Sequence, residues 1–266
     1  MMKKPSSTRP LKMILLLSAA HAFFILTTQL SKHYLMPKIE PYLPEILFRI
    51  LSRMLIPYAL IMPISYLLFL RALEPVRLKR KKSLRGSSFF KLCILQSALS
   101  ARFFLLLMIG MAISDAFPAG QRMPETGGTE GFSFFLLLVF NPLAEEWIGR
   151  KLILERLRPL GERGAVLWSS FFFAVLHVFS QTLFAALLAF FTPLIWAWVT
   201  LKTGRLIYAV LLHALSNAFS FFLPQILTRT KAGSMVFLLL QILLIPAALI
   251  IFIRNKEKIR LQQPQS

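Results

Sequence analysis

Apolar runs of about 17 to 25 residues recur along this chain, and that is the length that crosses a bilayer as helix. They lie at 13–30, 50–70, 89–113, 132–154, 165–180, 182–201, 206–223 and 235–253. The fifth is short for a full crossing and fits a tilted or partial span. A water-soluble chain of 266 residues would need far more polar surface than one that is 56% hydrophobic, with 25 Phe, can supply. The expected fold class is therefore all-α: a polytopic membrane helix bundle of about eight transmembrane helices, with the lipid bilayer as its first partner. Pro57, Pro63, Pro193 and Pro246 fall inside spans, which membrane helices tolerate where neighbours re-satisfy the freed backbone groups.

Charge orients the bundle. The net charge is +20, from 31 Lys+Arg against 11 Asp+Glu. In a soluble chain this would suggest nucleic acid, but here the cations are sorted by loop, and no nucleic-acid partner is expected. Lys3, Lys4, Arg9 and Lys12 precede the first span; Arg77, Lys79, Arg80, Lys81, Lys82 and Arg85 fill the second loop; Arg254, Lys256, Lys258 and Arg260 follow the last. The loop "SDAFPAGQRMPETGGTEG" is net acidic. Positive charge stays in the cytoplasm, so both termini are expected there, in a multi-pass protein of a bacterial cytoplasmic membrane. The "LKRKKSLR" run reads as a topology determinant and a contact for anionic lipid.

The basic start and first apolar run are expected to form a retained anchor, because no convincing small-residue cleavage site follows. Cys93 is the only cysteine, which excludes an intramolecular disulfide and any multi-cysteine metal site. No internal repeat is visible. Three regions are expected: N-terminal transmembrane helices at 1–130, a core at 131–223 that carries the polar motifs, and a final span with a basic tail at 224–266.

Ionisable groups inside hydrocarbon cost on the order of 2.5 to 3.5 kcal/mol each, so their placement calls for a functional reason and a partner. Helix rise puts Glu145 about 13 Å from the cytoplasmic edge, His177 about 18 Å deep, His213 about 11 Å and Asn217 about 17 Å. Three separate spans thus bring polar side chains to one layer. Residues four apart share a helix face, which pairs Glu146 with Arg150, His213 with Asn217, and Phe173 with His177. Glu145 is left with no cation one turn away, and an unpaired carboxylate in low dielectric suits a general base. His21 and His33 lack companions and read as structural or interfacial. Arg102 reads as a snorkelling or helix-bending residue, and Trp196 and Trp198 as packing or interfacial aromatics.

The stretches "EEWIGR", "FAVLH" and "HALSN", in this order, resemble the three signature motifs EExxxR, FxxxH and HxxxN of the CPBP family (CAAX protease and bacteriocin-processing, or Abi). The resemblance covers about residues 130 to 220 and includes the type II CAAX prenyl endopeptidases. It implies an intramembrane endopeptidase acting on membrane-embedded or lipidated peptide and protein substrates, with Glu145, Glu146, Arg150, His177, His213 and Asn217 as its site residues.

Two mechanisms fit those residues. In one, Glu145 and His177 hold and deprotonate the attacking water while His213 and Asn217 stabilise the oxyanion. In the other, Glu145, His177 and His213 hold a zinc with an open water position. The first is favoured and no cofactor is then needed; zinc is the alternative. A non-catalytic scaffold or immunity protein, and a proton-coupled transporter, are the rival classes. No HExxH motif, Gly-rich phosphate loop or activated serine accompanies these residues.

Overall fold

The computed structural model describes residues 8–81, 83–113, 130–178, 183–259 and 261. Lys3, Lys4, Lys82, Arg260, the acidic loop at 114–129 and the side chains of Arg9, Arg102 and Lys258 lie outside the described residues. The described residues are mostly helical, without a strand. The long helices are α1 (Thr8–Leu30), α2 (Glu45–Leu70), α3 (Gly86–Ile113), α4 (130–157), α5 (Gly161–Val178), α6 (Leu183–Thr203), α7 (Leu206–Leu227) and α8 (Lys231–Ile259).

Among the described residues, five stretches are long and apolar enough to cross a membrane: Pro10–Tyr42, Glu45–Leu70, Gly131–His177, Leu206–Leu227 and Lys231–Glu257. This is fewer than the expected eight. The fourth and fifth expected spans run together as one stretch of 47 residues, broken by a tight turn at Arg158–Leu160 and by Gly161 at φ 79°. That left-handed backbone disfavours any residue with a Cβ, so α5 turns back along α4 there. The third and sixth expected spans each contain residues whose side chains are not described. The faces turned outward are apolar, as in Leu239, Leu243, Leu249 and Ile253 of α8, each more than half exposed. A helix apolar all round and mostly uncovered by protein belongs in lipid.

Within the bundle, α5 packs along α6, α8 along α3, and α1 along α2. One core joins Met13 and Leu17 of α1, Tyr66 and Leu70 of α2, Ile153 and Leu157 of α4, Phe172 of α5 and Leu201 of α6. Ala20, Ala165 and Ala197 are fully buried in it, and such small residues let backbones approach where hydrophobic driving force between helices is weak. A second core joins Leu92 of α3, Phe173 of α5, Trp196 and Val199 of α6, and Ala209 and Leu212 of α7.

The basic segment between α2 and α3 is strapped across one end of this bundle. Val76 N–H donates to the Glu155 carbonyl (2.9 Å), Leu78 N–H to Glu155 Oε1 (3.2 Å) and Lys81 N–H to the Thr203 carbonyl (2.8 Å). Gly204, at φ 63°, lies so close to the Lys79 carbonyl that a Cβ would collide with it. The backbone faces inward while Arg77, Lys79, Arg80 and Lys81 are exposed. Arg163 Nε, at the start of α5, reaches the Leu261 carbonyl (3.3 Å), which places Leu261 at the same end.

Candidate active site

Proline sets the local geometry of two contributing helices. Pro57 lies within Leu51–Ile61 of α2, a stretch of wide turns in which Met62 N–H bonds the Pro57 carbonyl five residues back. Wide turns of this kind re-aim side chains and concentrate at functional sites. In α4 the same occurs at Leu136–Phe140, where Asn141 N–H bonds the Leu136 carbonyl. The next residue, Pro142, has no N–H to give Leu137, and Asn217 Nδ2 of α7 donates to that carbonyl instead (2.8 Å). Asn217 therefore ties α7 to α4.

The other five residues come together. Arg150 Nε donates to Glu146 Oε2 at 2.8 Å, and both side chains are fully buried. Arg150 Nη1 donates to Ser169 Oγ (2.6 Å), which in turn donates to the Gly149 carbonyl (2.9 Å). The guanidinium carbon also stands 5.7 Å from the Phe173 ring centroid. Glu146 is not given over to Arg150 alone, because its Oε1 lies 3.2 Å from His213 Nδ1. One carboxylate thus holds an arginine of its own helix and a histidine of α7.

Glu145 faces the same histidine from the other side. Its Oε2 is 3.9 Å from His213 Nε2 and 4.0 Å from His177 Nε2. Its Oε1 accepts a hydrogen bond from the Tyr58 hydroxyl at 2.9 Å. His177 Nδ1 is 3.0 Å from the Phe173 carbonyl, and a carbonyl can only accept, so Nδ1 carries a proton and Nε2 is the ring's acceptor when the imidazole is neutral. Glu146 likewise holds a proton on His213 Nδ1.

Sequence reasoning missed Tyr58 and Ser169. A phenolic hydroxyl directly after Pro57 in a mainly apolar span was the available signal for the first. The second lies four residues before Phe173 and eight before His177, on their helix face. His21, read as lacking companions, has two: it is buried with Nδ1 on the Leu17 carbonyl (2.9 Å) and Nε2 3.1 Å from the Tyr66 hydroxyl.

A tetrahedral zinc with bonds of about 2.0 to 2.2 Å would hold neighbouring donors about 3.3 Å apart. The separations of 3.9 and 4.0 Å are wider. Among the described residues no three His, Cys, Asp or Glu side chains gather closely enough to hold a metal ion. As placed, the residues do not fit zinc, and no step below is routed through it.

Residues 128–219 match the family described as type II CAAX prenyl endopeptidase Rce1-like. Over this segment the chain is similar to that family. The match covers about a third of the chain and contains all three polar motifs. The Rce1-like family is one of proteases, and that similarity together with five helices long and apolar enough to cross a membrane supports an integral membrane protein. Comparison with curated proteins and with solved structures found no match. Tyr58 lies outside the Rce1-like segment, so α2 adds to the site a group that the matched region does not contain.

Proposed function

We propose that this chain is an intramembrane endopeptidase that hydrolyses a peptide bond of a membrane-embedded or lipidated substrate with a water activated by Glu145 and His177. The observation that carries this reading is the pair of separations at Glu145 Oε2, 3.9 Å to His213 Nε2 and 4.0 Å to His177 Nε2. They are too long for direct hydrogen bonds, and are what two bonds of about 2.8 Å meeting at one water oxygen span. With two carboxylates and one guanidinium, the buried cluster is charge-neutral when His213 carries both ring protons, a state that Glu146 supports. The water then donates to Glu145 Oε2 and to His177 Nε2, and accepts from His213 Nε2–H.

As the water oxygen attacks the scissile carbonyl, its proton passes to Glu145, which the Tyr58 hydroxyl holds in place by its other oxygen. His213 Nε2–H stands beside the developing oxyanion and stabilises it in a site where little water competes. Glu145 returns the proton to the leaving amine. Asn217 acts by fixing α7 against α4. The direct test uses the purified full-length chain in lipid nanodiscs and a peptide ending in a prenylated cysteine plus three residues. Mass spectrometry should show release of the terminal tripeptide; a peptide left intact under conditions where the protein is folded counts against this substrate class.

The same reading places the basic strap in the cytoplasm. Reporters fused after residue 85 and at the C-terminus should be cytoplasmic, and one fused near Gly128 exterior. A cytoplasmic Gly128 fusion would invert the depth argument for the polar layer.

A further inference from the structure

Gln96 of α3 is 1% exposed in an apolar surrounding, where an amide is costly unless both of its ends are satisfied. Its Nε2 donates to the Leu212 carbonyl (2.9 Å), and its Oε1 accepts from Trp196 Nε1 (2.8 Å). Trp196 in turn lies flat on the His213 ring, centroids 4.3 Å apart and planes 16° from parallel. Phe173 closes the imidazole edge-on at 5.7 Å and 72°. One amide thus holds both the ring stacked on His213 and the backbone of the residue before it.

We infer that Gln96 and Trp196 are positioning residues that fix the plane of the His213 imidazole, so that Nε2 stays aimed at Glu145 while Nδ1 stays on Glu146. The Glu146 contact alone leaves the ring free to rock about the line through Nδ1. A stacked indole removes that motion, because rocking drives one edge of the imidazole into it. The indole face also favours a cationic ring over it, in keeping with the doubly protonated His213 of the proposed mechanism. Gln96 lies outside the Rce1-like segment, so the clamp extends the site into the N-terminal helices. The bland alternative is that this amide is interhelical glue, joining α3 to α6 and α7 without regard to the histidine.

The inference rests on the catalytic reading of His213, and its test is arranged to fail separately. Full-length wild type, Gln96→Met, Trp196→Phe and Trp196→Leu are compared in nanodiscs. Three quantities are read: kcat and KM on the prenylated peptide, the melting temperature, and the rate at which diethyl pyrocarbonate modifies His213. Exposed His33 is the internal standard for that rate. Misplacing a catalytic group by about 1 Å can cost on the order of a hundredfold. Trp196→Leu should therefore lose about thirtyfold or more in kcat with KM within about twofold. Trp196→Phe, which keeps a stacking face, should recover most of that loss, and Gln96→Met should fall between. Modification of His213 should speed up in the order Phe, Met, Leu.

Unchanged His213 labelling in both Trp196→Leu and Gln96→Met would overturn the clamp, as would activity losses that follow the melting temperature and not the size of the ring. If Trp196→Leu does not fold, Gln96→Met and Trp196→Phe carry the same comparison. A fully active His213→Ala would instead sink the catalytic reading, and labelling would still decide whether the clamp exists.

Discussion

Glu145→Gln is expected to abolish cleavage and leave the protein folded. The amide is isosteric with the carboxylate and still accepts from the Tyr58 hydroxyl through its oxygen, so the 2.9 Å contact to α2 is kept. It cannot take a proton from water at useful rates. Its NH2 would also turn donors toward His177 and His213, where the proposed water stands between Glu145 Oε2 and the two Nε2 atoms. Loss of the general base and of water alignment together should lower kcat by about a thousandfold or more, with a melting temperature within a few degrees of wild type. An active Glu145→Gln protein would contradict the assignment of Glu145 as the general base, whereas a folded wild-type chain that cleaves nothing would return the scaffold class to first place.

Glu146→Ala should behave in the opposite way and lower the yield of folded protein. Glu146 and Arg150 are both fully buried, and His213 leans on the same carboxylate at 3.2 Å. Removing it leaves a guanidinium in the bundle with only the Ser169 hydroxyl and the Phe173 face. Breaking a buried ion pair from one side costs about 3 to 5 kcal/mol, a large part of a small domain's stability. The double variant Glu146→Ala/Arg150→Met removes the stranded charge and should regain much of the loss in thermal unfolding, though not the activity. Equal melting temperatures for Glu145→Gln and Glu146→Ala would contradict the separation of their roles.

The parts of this site that depend on one helix were legible in the sequence. Glu146 with Arg150, and His177 with Phe173, follow from i, i+4 spacing alone, and they meet as that spacing requires. That helices would form was equally legible, because in hydrocarbon an apolar run has no other way to satisfy its backbone. The contacts between helices were not. Tyr58 reaches Glu145 across 87 residues, and Trp196 reaches Gln96 across 100. Which face of α2 or α3 turns inward depends on packing and on the register of the wide turn at Pro57, and periodicity in an all-apolar helix is silent on both. Asn217 illustrates the same limit. Its spacing from His213 suggested a shared role at the oxyanion, but spacing gave no sign of its hydrogen bond to the Leu137 carbonyl, which lies five residues before Pro142 and gets no N–H from it.

The central claim is that Glu145 and His177 activate water directly, and the metal content of active enzyme tests it most closely. Wild-type protein purified in nanodiscs should contain well under one equivalent of zinc per chain by elemental analysis. It should also cleave the prenylated peptide at an unchanged rate after prolonged incubation with a strong chelator. His213→Ala should then lose about a hundredfold in turnover with no change in metal content. Close to one zinc per chain, with activity that disappears on its removal, returns on its re-addition, and falls together with metal in His213→Ala, would contradict the account.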